Sequence, residues 1–245
     1  MKKKAMIMAV ASLGSMALIG TGFAGWVISA NTQATAGGLM TAFDVADHRL
    51  SVEGGTWKNT TNNTGKIIFG DKKDTAVTTP WFTFSASAEE TEHDELLSDQ
   101  YTFVVKSNEK DDNGAFTVTS NKATDFVVGE TKKAAWDTAV TKGLVTVPEI
   151  TFDKEEYTLA SGEETVVMTV AFAWGNHFKI KDASTAVNPY TFYNTVSATG
   201  GDNDASKGTL LTDAATWADD AKEAMNLLAQ ITKADFTITA KVDRK

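Results

Sequence analysis

The sequence predicts an all-β chain, a jelly roll or β-sandwich with one amphipathic helix docked near the C-terminus. Val166, Met168, Val170, Phe172 and Trp174 alternate with Thr165, Val167, Thr169, Ala171 and Ala173, so one face of an extended segment carries the large side chains. Around it, short runs rich in Val, Thr, Phe and Tyr are separated by turn formers at Gly54-Gly55, Asn62-Asn63-Thr64-Gly65, Asp111-Asp112-Asn113-Gly114, Ser161-Gly162 and Gly200-Gly201-Asp202. Many short strands at such spacing fit stacked sheets better than alternating strands and helices.

The expected strands are 39–45, 66–69, 81–85, 101–106, 115–119, 125–128, 144–147, 157–160, 165–174, 190–197 and 235–242, each suited to a half-buried pleated surface. One long helix is expected over 212–232. There Trp217, Ala221, Ala224, Leu228 and Ile231 form a single apolar stripe, and Asp213, Asp219, Asp220 and Glu223 lie towards the end where the macrodipole favours acids. Such a helix packs on the sheets as a lid between the last two strands. Residues 132–140, with Trp136 and Ala139, read as a shorter helix and 94–97 as a single turn.

Before these elements, Lys2, Lys3 and Lys4 precede an uncharged apolar run over 5–28, and the polar stretch after it carries the small-residue triplet Ala34-Thr35-Ala36. A basic n-region, an apolar h-region and an A-x-A site make residues 1–36 a signal peptide, with a cut after Ala30 as an alternative. Length alone would also permit an uncleaved membrane anchor, the main rival reading and the only expected link to a membrane. Residues 37–245 then form a single β domain, for which roughly 210 residues are ample; a split within 129–143 is the alternative.

Removing three lysines takes the net charge from -9 to about -12, and an acidic balance of this size argues against nucleic acid as a partner. An exported chain with no Cys has no disulfide framework and must hold itself together by its core, for which 13 Phe and 6 Trp are available. The missing Cys also excludes thiol catalysis.

His48, His93 and His177 are too far apart in sequence to form the two-histidine helix of a zinc protease. Neither a G-x-S-x-G nucleophile elbow nor a phosphate-binding glycine loop is present. His93 sits in an acidic run, 89–95, where a solvated loop explains it more simply than a metal. Asp202, Asp204, Ser206 and Asp213 imitate the ligand spacing of a calcium loop. Lys207 nevertheless stands where such a loop needs its turn glycine, no Glu closes it, and an acidic Gly-containing connection explains the residues equally well. No other cofactor is expected. The aromatic concentration around Phe172, Trp174 and Phe178 continues a buried strand face rather than forming a sugar-gripping surface. Asn59-Thr60-Thr61 and Asn62-Asn63-Thr64 match glycosylation sequons that a polar turn also produces by chance.

An apolar segment closing on Gly20, Gly22, Phe23, Ala24 and Trp26, followed by a polar stretch and by Ala36-Gly37-Gly38-Leu39 stepping into Phe43-Asp44-Val45, resembles the exported TasA and camelysin family of biofilm-matrix and surface proteins. The resemblance covers roughly the first fifth of the chain. It implies a jelly-roll domain whose mature N-terminal segment completes a neighbour's sheet by donor-strand exchange, building extracellular filaments. Some members are labelled metallopeptidases, but no zinc motif here carries that label and no catalytic residue transfers. The sequence departs from the family at Trp26, which is followed by Val27 and Ile28 rather than a second aromatic residue.

Residues 31–45 suit strand exchange on physical grounds as well: they contain no Pro and no charge before Asp44, with Leu39 and Phe43 on one face and Met40 and Ala42 on the other. The expectation is therefore a secreted, non-enzymatic structural protein of the extracellular matrix or cell surface, self-associating through Leu39, Met40, Phe43 and Val45. Two rivals are a secreted carbohydrate- or protein-binding module using 202–208 and the Trp174 region, and a metal-dependent hydrolase using His93 or His177 with nearby carboxylates.

Overall fold

The computed structural model of the chain describes residues 24–29, 40–45, 49–58, 66–69, 82–84, 96–189, 191–193, 214–232 and 234–245. In chain order the strands are β1 (Ala24–Ser29), β2 (Met40–Val45), β3 (Leu50–Trp57), β4 (Lys66–Phe69), β5 (Phe82–Phe84), β6 (Ser98–Ser107), β7 (Ala115–Thr119), β8 (Phe126–Val128), β9 (Glu149–Phe152), β10 (Tyr157–Thr158), β11 (Glu163–Ala171) and β12 (Ala234–Arg244). The helices are α1 (Lys122–Asp125), α2 (Glu130–Thr141) and α3 (Ala214–Ile231), with a 3-10 turn at Asn176–Phe178. The described chain is thus mostly β, in two largely antiparallel sheets with few helices.

The spine of the larger sheet is β12, along which Ala234, Phe236, Ile238, Ala240 and Val242 are buried in strict alternation. One edge of β12 pairs antiparallel with β7 and β8; the other takes β2 in parallel, Thr237–Val242 against Met40–Val45. At the start of β12, Ala234 and Asp235 pair with β4, which runs parallel to β5. The second sheet has the order β3-β6-β11-β9 and is antiparallel throughout. Its buried residues include Tyr101, Phe103 and Val105 of β6 and Val166, Met168 and Val170 of β11. Phe172, just after β11, meets Phe82 of β5 at 4.5 Å and Phe236 of β12 at 5.9 Å between ring centroids, so tilted and edge-on aromatics join the two sheets.

Every member of the expected large-residue face, Val166 to Trp174 by twos, is buried. One expected strand is replaced, and a second is helical where it is described. At 144–147 the chain makes only the single bridge Val145 to Trp174, because α2 ends in a Schellman motif. Gly143, at φ +70°, donates to the Val140 carbonyl and Leu144 to the Ala139 carbonyl, which steers the chain out of extended pairing. Within 190–197, residues 191–193 are helical. Asn188 Oδ1 accepts the Thr191 N–H at 2.8 Å and Pro189 follows, an N-cap and first-turn proline that override the β preference of the neighbouring aromatics.

Strands β1, β3 and β9 were not expected. In β3 the pair Gly54-Gly55 reads as a break but forms a bulge opposite β6. A Cβ on Gly55 would lie 2.2 Å from the Thr102 carbonyl oxygen, and the Gly55 N–H donates to the Tyr101 hydroxyl at 2.9 Å. Residues 130–141, inside the stretch named as an alternative domain boundary, are helix α2, with Trp136 and Ala139 buried in the same core cluster as both sheets.

Candidate functional site

Of the expected assembly strand, Leu39 lies outside the described residues, whereas Met40, Phe43 and Val45 belong to β2. On the inner side β2 pairs with β12, Met40 opposite Thr237, Phe43 opposite Ala240 and Val45 opposite Val242. On the other side it pairs antiparallel with β1, Phe43 opposite Trp26 and Val45 opposite Ala24. The whole of β1 lies inside the expected leader. The expected calcium ligands Asp202, Asp204, Ser206 and Asp213 fall outside the described residues, as do His48 and His93.

His177 is described, and it is the centre of a polar cluster. Its Nε2 lies 2.8 Å from Asp220 Oδ2, and the Tyr193 hydroxyl donates to the same carboxylate oxygen at 2.6 Å while lying 3.5 Å from Nε2. Three elements meet here: the 3-10 turn bearing His177, the helical turn 191–193, and α3.

The backbone fixes the histidine. Gly143 and Gly175 approach so closely that a Cβ on Gly175 would lie 2.1 Å from the Gly143 carbonyl oxygen, which accepts the His177 N–H at 2.8 Å. Phe178 and Phe192, both buried, wall the site, with ring centroids 4.9 Å and 6.3 Å from that of His177. Burial, then the hydrogen bond to Asp220 and the charges of Asp220 and Glu223, hold the Tyr193 phenol well above the ordinary tyrosine range. Glu223 is itself paired with Lys142 at the end of α2.

The expected macrodipole role of Asp219, Asp220 and Glu223 needs correction. Helix α3 begins at Ala214, so these residues lie beyond its first turn, where the dipole no longer acts. Asp220 instead serves the His177 cluster. Nothing in the sequence pairs His177 with Tyr193, 16 residues on, or with Asp220, 43 residues on, because only the fold brings them together. Trp174 is buried against Phe84 and Phe178, at 4.9 Å and 5.4 Å, in keeping with its reading as strand-face packing.

Among the described residues no three His, Asp or Glu side chains form a metal-holding group, and no helix is long and apolar enough to cross a membrane. Scans against protein-family models, curated proteins and solved structures found no match.

Proposed function

We propose that the chain is an exported, non-enzymatic structural protein with a jelly-roll-like domain over 37–245, which self-associates outside the cell through its N-terminal strand. One observation carries the reading: among the described residues, β2 is held on one side by β12 and on the other only by β1, a strand that belongs to the expected leader. Cleavage after Ala36 removes β1. The outer edge of β2 is then left with a row of unsatisfied N–H and C=O groups, a ready template for a strand from another copy. The likeness of residues 20–45 to the TasA and camelysin family points the same way, towards filaments of the extracellular matrix or cell surface.

The test compares two soluble forms of the protein, one beginning at Gly37 and one at Ala24, which retains β1. By sedimentation and negative-stain electron microscopy, the Gly37 form assembles and the Ala24 form, its β2 edge already paired, stays monomeric or assembles far more slowly. A Gly37 form that remains strictly monomeric at high concentration would end the reading in favour of a monomeric binding module.

A further inference from the structure

The cluster around His177 contains more chemistry than a structural contact needs. We propose that His177 Nε2, the Asp220 carboxylate and the Tyr193 phenol oxygen bind a ferric ion. The three donors lie 2.8, 2.6 and 3.5 Å from one another. Ligand atoms bonded to one transition-metal ion at about 2.0–2.2 Å stand roughly 2.8–3.6 Å apart, so two of the three separations already fit and the 2.6 Å contact between Tyr193 and Asp220 needs only to open slightly. Each donor comes from a different element, and the Gly143–Gly175 contact holds the histidine in place before any ion arrives. His177 and Asp220 side chains remain 15% and 21% exposed, so an ion can reach them from solvent.

The donor set selects the metal. One imidazole nitrogen argues against Ca²⁺ and Mg²⁺, which take oxygen ligands, and the lack of thiolate argues against a structural Zn²⁺ or iron–sulfur site. A phenol is recruited only as phenolate. Asp220, which accepts the phenol's hydrogen bond at 2.6 Å, is also an anion that attracts a cation, and a bound cation favours the phenolate. A trivalent ion is the most effective at displacing that proton, which passes to solvent as the iron–oxygen bond forms; His177 then binds through a neutral Nε2. Carboxylate and phenolate together supply two negative charges against three positive, and the remaining coordination positions are open to water or a small chelating anion. Affinity must fall as pH falls, because protons compete for the same donors.

The simpler reading, in which the three side chains only hydrogen-bond to each other, differs in the phenol's proton. The purified full chain is titrated with ferric citrate and followed by visible absorbance, where a phenolate-to-iron charge-transfer band reports Tyr193 directly. The band is expected to saturate at one iron per chain and to vanish in Tyr193→Phe. Asp220→Asn should weaken binding at least about tenfold, the smallest loss usual even for a partner outside the coordination shell. Tyr193→Phe removes one oxygen and keeps its ring against Phe178 and Phe192, so it folds, as circular dichroism will verify, and it decides the question if Asp220→Asn does not fold. No band in the wild type, or an undiminished band in Tyr193→Phe, overturns the proposal.

Discussion

Asp112 is a turn residue in the sequence and an anchor in the structure. Its carboxylate accepts from the Ser107 hydroxyl at 2.5 Å, the Gly114 N–H at 2.9 Å and the Arg244 guanidinium, whose Nη1 lies at 3.2 Å, and so fastens the end of β12 to the turn before β7. The Arg244 and Asp112 side chains are only 11% and 9% exposed, which sets this pair apart from the surface pairs such as Lys133–Asp137. Removing one partner strands the other charge in a poorly hydrated place, so Asp112→Ala should cost about 3 kcal/mol in urea denaturation. A loss under about 1 kcal/mol would return the pair to the surface class. Gly175→Ala should be as damaging, by about 3 kcal/mol, because the new methyl meets the Gly143 backbone rather than a side chain that can turn away. Its melting temperature and the retention of the His177–Asp220 contact, read by NMR, would check this. That Gly175 directly follows the alternating stretch 165–174 was legible, although the strand itself stops at Ala171. That it touches another glycine was not, since close backbone approach between distant residues leaves no local pattern.

At the scale of elements, the strongest periodicities were the most legible. The stripe read over 212–232 appears in α3 as buried Ala224, Leu228 and Ile231, and the β11 alternation is buried throughout. Both signals arise from one face meeting one core, which a local window records. Elements decided by distant partners were hidden: β9 has four residues and gains its place only by pairing with β11, and β3 is interrupted by the two glycines that let it hug Tyr101. Where a cap competes with propensity, the cap wins, as Asn188-Pro189 does over Phe192 and Tyr193. Of the candidate site, His177 was legible as a residue and its partners were not. The weight of the α3 stripe can be measured. Leu228, 1% exposed, should cost about 3 kcal/mol on truncation to Ala, whereas exposed Asn226→Ala on the same helix should stay within about 0.5 kcal/mol. Equal effects in thermal melts would mean that α3 does not dock by this face.

For the whole molecule, the tyrosines couple separate regions to a single pH response. The chain has 4 tyrosines, and the side chains of three are described. Tyr101 lies in the middle of β6, Tyr157 stacks on Phe116 at 5.2 Å, and Tyr193 joins the helical turn 191–193 to α3. Burial pushes all three phenols upwards; the Asp153 hydrogen bond adds to this at Tyr157 and the Asp220 bond at Tyr193, while the Gly55 N–H opposes it at Tyr101. In the unfolded chain each titrates near its ordinary value of about 10. Above that pH the unfolded state has released protons that the native state still holds, so stability falls as pH rises; below about 10 the contribution is fully present. Tyrosinate absorbance should therefore show no more than one tyrosine ionising reversibly near pH 10. The others should appear together, later, in a step that coincides with loss of far-UV circular dichroism. Reversible ionisation of three or four tyrosines near pH 10 with the fold intact would mean that these phenols are open to water, and that neither the β6 core nor the α3 anchor is closed as described.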